Sequence, residues 1–358
     1  MKLLTRYMAR EIYASIGLVF AGLILLFAFL DLIHELNTMG QGNYSLSYVL
    51  LFVLLTVPGH IYELFPVAVL IGTILALVQM AASSELTIYR SSGASLLQMV
   101  RALLRIGLPL VALSFACGEW LAPPSEHLAQ SLRLKAQNGQ VSLKEFRSGV
   151  WVKDGHHFVN VKNVLPDSSM LNVYIYEFDE QARLKTMTRA KQATYLEEEH
   201  WQLTDVTQTL LDEHGATVRN LPTLDWHSTL DPEILGVLLV VPEQMSAWGL
   251  YQYTRYLGEN HQKTARYDIA FWNKLAHPLA VWVMMLLALP FAAHQRRAGG
   301  ISSKIFSGIV LGLLFHFIGK LFGNLGAIND WQPLLSASVM PATFLLLASA
   351  MLWWTERR

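Results

Sequence analysis

The chain has 358 residues, 53% of them hydrophobic and only 15% charged. A soluble globular domain carries nearer a quarter of charged residues, so this composition speaks against a cytosolic enzyme. A formal net charge of zero leaves no electrostatic footprint for nucleic acid.

The charges are unevenly spread. Residues 123–266 hold 14 of the 27 Lys and Arg and 18 of the 27 Asp and Glu, and long charge-free stretches flank them. The pattern predicts an integral membrane protein with one slightly acidic soluble domain inserted. Met1–Arg10 is basic and amphipathic, and no small-residue cleavage site follows the first apolar run, so that run is expected to remain as a transmembrane helix. It extends from Ile12 to Leu30, enough to cross a hydrocarbon core of about 30 Å at about 1.5 Å per residue. Asp31, His34 and Glu35 close its outer end.

A second apolar segment lies within Ser47–Ala82, interrupted by Pro58, Glu63 and Pro66. Its continuous part is Leu64–Ala82, and the piece before Pro58 is too short to span. Ser83–Gly93 follows, a short polar segment that begins with capping residues, ends at a glycine and presents Leu86, Ile88 and Tyr89. It reads either as an amphipathic turn on the lipid surface or as a docking helix for a cytoplasmic partner. The third span is Ile106–Ala122, and the single cysteine, Cys117, lies within it as a small buried residue. One cysteine excludes a disulfide framework and a multi-cysteine metal site.

The inserted domain reads as β. Gly149–Lys153 and His156–Val161 flank Asp154-Gly155, a type I′ hairpin signal, and alternating runs follow at 171–178, 184–189, 193–196, 201–211 and 217–221. So many short strands close most simply as a sandwich or jelly roll. Val173 and Ile175 are expected on its apolar interior, the face that would take acyl chains. Helical pattern returns after Ser246. Three further spans are predicted at Ile269–Ala293, Ile301–Leu325 and Leu334–Trp354.

Basic residues set the orientation. Lys2, Arg6 and Arg10, then Arg90, Arg101 and Arg105, then Arg296, Arg297 and Lys304, and finally Arg357 and Arg358 occupy alternate loops and both ends. Asn37–Tyr48 and Gly326–Pro333 contain neither Lys nor Arg. Both termini are therefore expected in the cytoplasm and residues 123–266 outside, in the periplasm of a Gram-negative cell.

Enzyme signatures are missing. Gly319-Lys320-Leu321 fails the last position of a P-loop, so the chain is not expected to be its own ATPase. His34-Glu35 lacks a zincin's second histidine, and His156-His157 has no further ligand in range, which predicts no metal and no catalytic residue. What remains are polar groups in or beside the membrane, which are costly and therefore informative. Lys274 lies in span four; His316 and Lys320 share one face of span five. They either snorkel to the interface or face a polar headgroup between helices. Glu63 and Glu119 lie near span ends and are expected to be hydrated. Gly308-x-x-x-Gly312 and Gly319-x-x-x-Gly323 would let span five approach a neighbour closely, in a contact able to open and close.

Four stretches carry a family resemblance: Ser84–Gly93, Gly118-Glu-Trp-Leu-Ala-Pro123, Gly149–Gly155 and Arg266–Lys274 with Pro278-Leu279. Together they closely resemble the LptF/LptG permease family, nearer its LptG branch, from Arg6 to the last span. The resemblance implies six transmembrane helices with a periplasmic β-jellyroll between spans three and four. It implies a multi-pass inner-membrane permease subunit that extracts lipopolysaccharide from the outer leaflet of the inner membrane and passes it to a periplasmic bridge through LptA. The implied partners are a homologous LptF chain, two copies of the ATPase LptB, which would carry ATP and Mg, and LptC. Residue by residue, Glu85 matches the coupling-helix glutamate that meets an arginine of the ATPase, with Leu86, Tyr89 and Arg90 beside it. Arg133 matches a basic residue near the lipid phosphates, and spans one and five match the lateral-gate helices. In one respect the chain departs from the family: residues 31–39 contain no Lys or Arg, with Asp31, Asn37 and Thr38 where many relatives carry lysines. Phosphates held at low dielectric need cations, which leaves Arg133, Lys320 and Lys274, with His316, Asp31 and His34 around them, as the substrate-binding candidates. A membrane-anchored sensor or scaffold with a ligand-binding β domain is the competing reading.

Overall fold

The structure, a computed structural model, describes residues 2–357 apart from 41–42, 86–90, 92–94, 137–149, 165–168, 180, 182, 197–199, 213–214, 231–241, 261 and 294–300. Six helices in it are long and apolar enough to cross a membrane. In chain order the helices are α1 (Lys2–Leu36), α2 (Leu46–Ala82), α3 (Leu96–Ala116), α4 (Ala122–Ala136), α5 (Ala247–Glu259), α6 (Ala265–Ala293), α7 (Ile301–Ile328) and α8 (Pro333–Arg357). A π-helical turn, Cys117–Leu121, joins α3 to α4 so that the two act as one span.

The second span is longer than the sequence predicts. α2 is continuous from Leu46 through both Pro58 and Pro66. A proline in a helix interior removes its own N–H and strands the carbonyl four residues earlier, and within a bilayer that carbonyl must find another donor. For Pro66 the stranded carbonyl is that of Tyr62, and His277 Nε2 of α6 donates to it at 2.9 Å. For Pro278 in α6 it is that of Lys274, to which the Tyr62 hydroxyl donates at 3.5 Å. Each helix therefore repairs the other's gap. Close packing adds to the contact: a Cβ at Gly118 would lie 2.3 Å from the Tyr62 ring, and one at Gly72 2.6 Å from the backbone of Ile16.

The inserted domain carries the expected β strands, and among the described residues they form a single antiparallel sheet in sequential order rather than the two facing sheets of a sandwich. They are β1 (Val150–Asp154), β2 (His157–Val164), β3 (Met170–Phe178), β4 (Leu184–Tyr195), β5 (His200–Asp212) and β6 (Gly215–His227). Asp154 pairs with His157, so the first turn is Gly155-His156, one residue on from the expected position. Gly155 alone of the two has positive φ (+56°), which fits a type II′ rather than a type I′ turn.

Buried rows run across the sheet. Val161, Val173, Ala190, Val206 and Leu221 are successive neighbours in one, and Met170, Ala193, Leu203 and Leu224 in the next. Three residues rather than two separate these rows, and left-handed Asn172 (φ 53°) and Asp205 (φ 54°) lie between them. A second irregularity, a register shift at Glu177/Phe178, breaks the alternation at the far end of β3. Val173 and Ile175 do face the buried side, but Leu250, Tyr253, Tyr256 and Leu257 of α5 fill it, together with Leu230 and Met245. Among the described residues the layer opposite the sheet is thus helical. The sheet is anchored to α5 by the Asn260 Oδ1 that accepts from Gly155 N–H at 2.9 Å.

Candidate functional site

At the end of the bundle that adjoins the β domain, α1, α2, α4, α6, α7 and α8 line a partly open cavity of about 1050 Å³. That is at the upper end of ordinary small-molecule pockets, which hold about 300–1,000 Å³. Its lining includes all six substrate-binding candidates: Asp31, His34, Arg133, Lys274, His316 and Lys320.

Most of these charges are paired. Asp31 Oδ2 meets His60 Nε2 at 2.6 Å and accepts from the Thr56 hydroxyl at 3.2 Å. Glu35 is 2% exposed and accepts from Tyr44 at 2.9 Å, with Arg133 Nη1 3.4 Å away. The Arg133 guanidinium also lies 5.5 Å from the centre of the Phe52 ring. Glu63 Oε1 is shared between Lys320 Nζ at 3.0 Å and His316 Nε2 at 3.4 Å. This corrects one expectation: Glu63 is not simply hydrated at a span end but pairs with Lys320. Lys320 and His316 do share a face, and what they share it for is one carboxylate.

Lys274 differs. It is 6% exposed, its ammonium lies 4.5 Å from the centre of the Tyr62 ring, and Nζ has no hydrogen-bond partner among the described residues. Glu119, also expected to be hydrated, instead accepts from the N–H groups of Ala247 at 2.7 Å and Trp248 at 3.2 Å. It caps the first turn of α5 from the π-helical turn, where unpaired amides and the helix dipole favour a carboxylate.

The four glycines of span five divide into pairs. A Cβ at Gly308 or Gly312 would lie 2.7 Å from Ile74 or Val67 of α2, so these two are packing positions. Gly319 and Gly323 have ordinary room and line the cavity. On the opposite side of the bundle, Glu85 Oε1 accepts from the Tyr7 hydroxyl at 3.4 Å. Leu86, Tyr89 and Arg90 lie outside the described residues.

Sequence reasoning missed His60, Tyr62, Glu126, Arg266 and His277, all in the lining. A signal existed for His60 and His277, each a histidine one or two residues from a proline in an apolar run. For Tyr62 there was none, because an aromatic in a span reads as core.

A bundle of six apolar helices around a cavity that carries several charged side chains on a largely apolar wall, with a β domain inserted between the third and fourth spans, defines a membrane permease with an extramembrane domain. Residues 6–354 match the family described as "Lipopolysaccharide export system permease LptF/LptG", and the chain belongs to that family. It is 34% identical over 356 residues to the lipopolysaccharide export system permease protein LptG of Haemophilus influenzae, an alignment covering 99% of this chain and 98% of that protein. It is 32% identical over 358 residues to LptG of Escherichia coli K12, with the same coverage.

Proposed function

We propose that this chain is the permease subunit through which lipopolysaccharide leaves the inner membrane, its lipid A phosphates held in the cavity described above. The observation that carries the reading is the concentration of Lys, Arg and His side chains from five spans in one cavity at the β-domain end of the bundle. Arg133 and Lys320 each face a protein carboxylate, so a phosphate would take over a cation already held in place by Glu35 or Glu63. Lys274 would meet the phosphate directly.

Energy enters from a separate ATPase, for which the partner is two copies of LptB with ATP and Mg. The segment around Glu85 is the docking element, with both termini on the same cytoplasmic side. The basic loops at 2–10, 90–105 and 296–304 support this orientation. A homologous LptF chain and LptC complete the assembly against the exposed apolar faces of α1 and α7, where no element among the described residues covers Leu25, Phe29, Phe306 and Phe317. Lipopolysaccharide moves between those helices and on to LptA by way of the β domain.

The test is retention of lipopolysaccharide in the purified complex. Lys320→Ala should lower bound lipid clearly while thermal stability holds, since Lys320 is 62% exposed and an exposed pair contributes about 1 kcal/mol or less. Unchanged lipid with lowered stability would make Lys320 a structural partner of Glu63 and overturn its place in the site.

A further inference from the structure

Lys274 and Glu119 are oppositely charged neighbours that do not pair. Both face a tight crevice, too narrow to admit a water molecule, with Tyr62, Phe115, Gly118 and Pro278. Lys274 also lines the main cavity. A buried ammonium without an acceptor is costly, and Glu119 lines the same crevice, yet both Glu119 oxygens are committed to the amides of α5. The carboxylate thus has two mutually exclusive uses: the cap of α5 or the neutralisation of Lys274.

The first use keeps the β domain closed. α5 contributes Leu250, Tyr253, Tyr256 and Leu257 to the core that fills the apolar side of the sheet. Any acyl chain that is to lie against Val173 or Ile175 must displace that helix. We propose that Lys274 is an anion-sensing residue, and that a phosphate on the cavity's ligand, by engaging Lys274, leaves Glu119 on α5. When the phosphate moves on, Glu119 turns towards Lys274 and gives up the amides of Ala247 and Trp248; the Ser246 hydroxyl on Gly249 remains as the weaker cap, and α5 loosens from the sheet. The domain's interior then opens in the same step that empties the phosphate site. This rests on the reading that the cavity takes a phosphorylated lipid, and it adds the order of events. Glu119 is a positioning residue; it does not touch the lipid.

The experiment uses the assembled complex in nanodiscs, with Cys117 replaced by serine and spin labels on cysteines at the exposed positions Leu121 and Trp248. Electron–electron resonance reads the distance between the π-helical turn and α5. Phosphorylated lipopolysaccharide should favour the short distance, and enzymatically dephosphorylated lipopolysaccharide should not, with the ratio of the two populations moving about tenfold. Lys274→Gln should hold the short distance with either lipid, because Glu119 then has no competitor. Glu119→Gln should give the long distance with either, and Lys274→Arg should restore the wild-type response, which separates a sensing role from a loss of folding. An equal response to both lipids, or a Lys274→Gln complex that behaves as wild type, overturns the proposal. Co-purifying lipid is counted in parallel. If phosphorylated lipid is retained and the distance does not move, only this inference falls; if neither lipid is retained, the transport reading falls with it.

Discussion

Glu35 and Lys320 illustrate two kinds of charge in one cavity. Glu35 is enclosed, with Tyr44 and Arg133 on it, so removing its charge leaves the Tyr44 hydroxyl and a half-buried guanidinium short of a charged partner. Breaking such a pair typically costs about 3–5 kcal/mol. Glu35→Gln is therefore expected to lower the thermal midpoint of the lipid-free complex. A variant that melts like wild type would show that Arg133 is compensated elsewhere. Lys320, being exposed, should behave in the opposite way, with lipid retention falling and stability kept. A comparison of the two variants in one preparation separates scaffold charges from those available to a ligand.

At the scale of the element, the glycines of span five make a second contrast. Val67 is β-branched and stiff, and its methyl lies 2.7 Å from where a Gly312 Cβ would be. Gly312→Ala should cost about 1–3 kcal/mol through overpacking. Gly323→Ala meets only Asn273 at 3.8 Å and should be neutral or slightly stabilising, since alanine is the better helix former by about 1 kcal/mol. Denaturation of the two variants in detergent would check the order; equal losses would sink the packing assignment. The β3–β4 hairpin has a measurable pH response. Burial works against ionisation of Glu177, but hydrogen bonds from Thr186 and Lys185 prevail and hold its carboxyl below the usual range, and the backbone N–H of Arg183 does the same for Asp179. A depressed carboxyl stabilises the fold above the unfolded-state value and loses that effect as pH falls through the folded one. Amide exchange in the hairpin, corrected for intrinsic rates, should show lost protection below about pH 4. Protection that does not change on acidification would mean the bonds do not form in solution.

For the whole molecule, the prediction concerns coupling. Glu85→Arg should abolish ATP-driven export by the assembled complex while leaving it folded, because like charge would then face an arginine of the ATPase. Normal export by that variant would remove Glu85 from the docking element. The large-scale plan was legible in the chain: spans follow from charge-free length, and the domain between spans three and four from the return of charges at 123–266. The candidate cations were legible too, because Lys and Arg are conspicuous in apolar runs. Their partners were not. Nothing in the periodicity of α2 says that Glu63 turns towards Lys320, which is 257 positions away and brought near only by helix packing. The helical cover on the sheet was hidden for a similar reason, since an amphipathic helix such as α5 gives no clue to which surface it covers.

The reciprocal proline repair between α2 and α6 bears on how such a chain can vary. Pro66 leaves the Tyr62 carbonyl to His277, and Pro278 leaves the Lys274 carbonyl to Tyr62. Four side chains on two helices therefore form one unit of inheritance. Losing His277 alone strands a carbonyl in the bilayer, while losing Pro66 alone supplies an amide where the imidazole already bonds. A lineage drifting one substitution at a time meets a penalty at each first step and relief only at the matching second one. Segments exchanged between relatives should consequently function when α2 and α6 travel together, and fail when only one of them is transplanted.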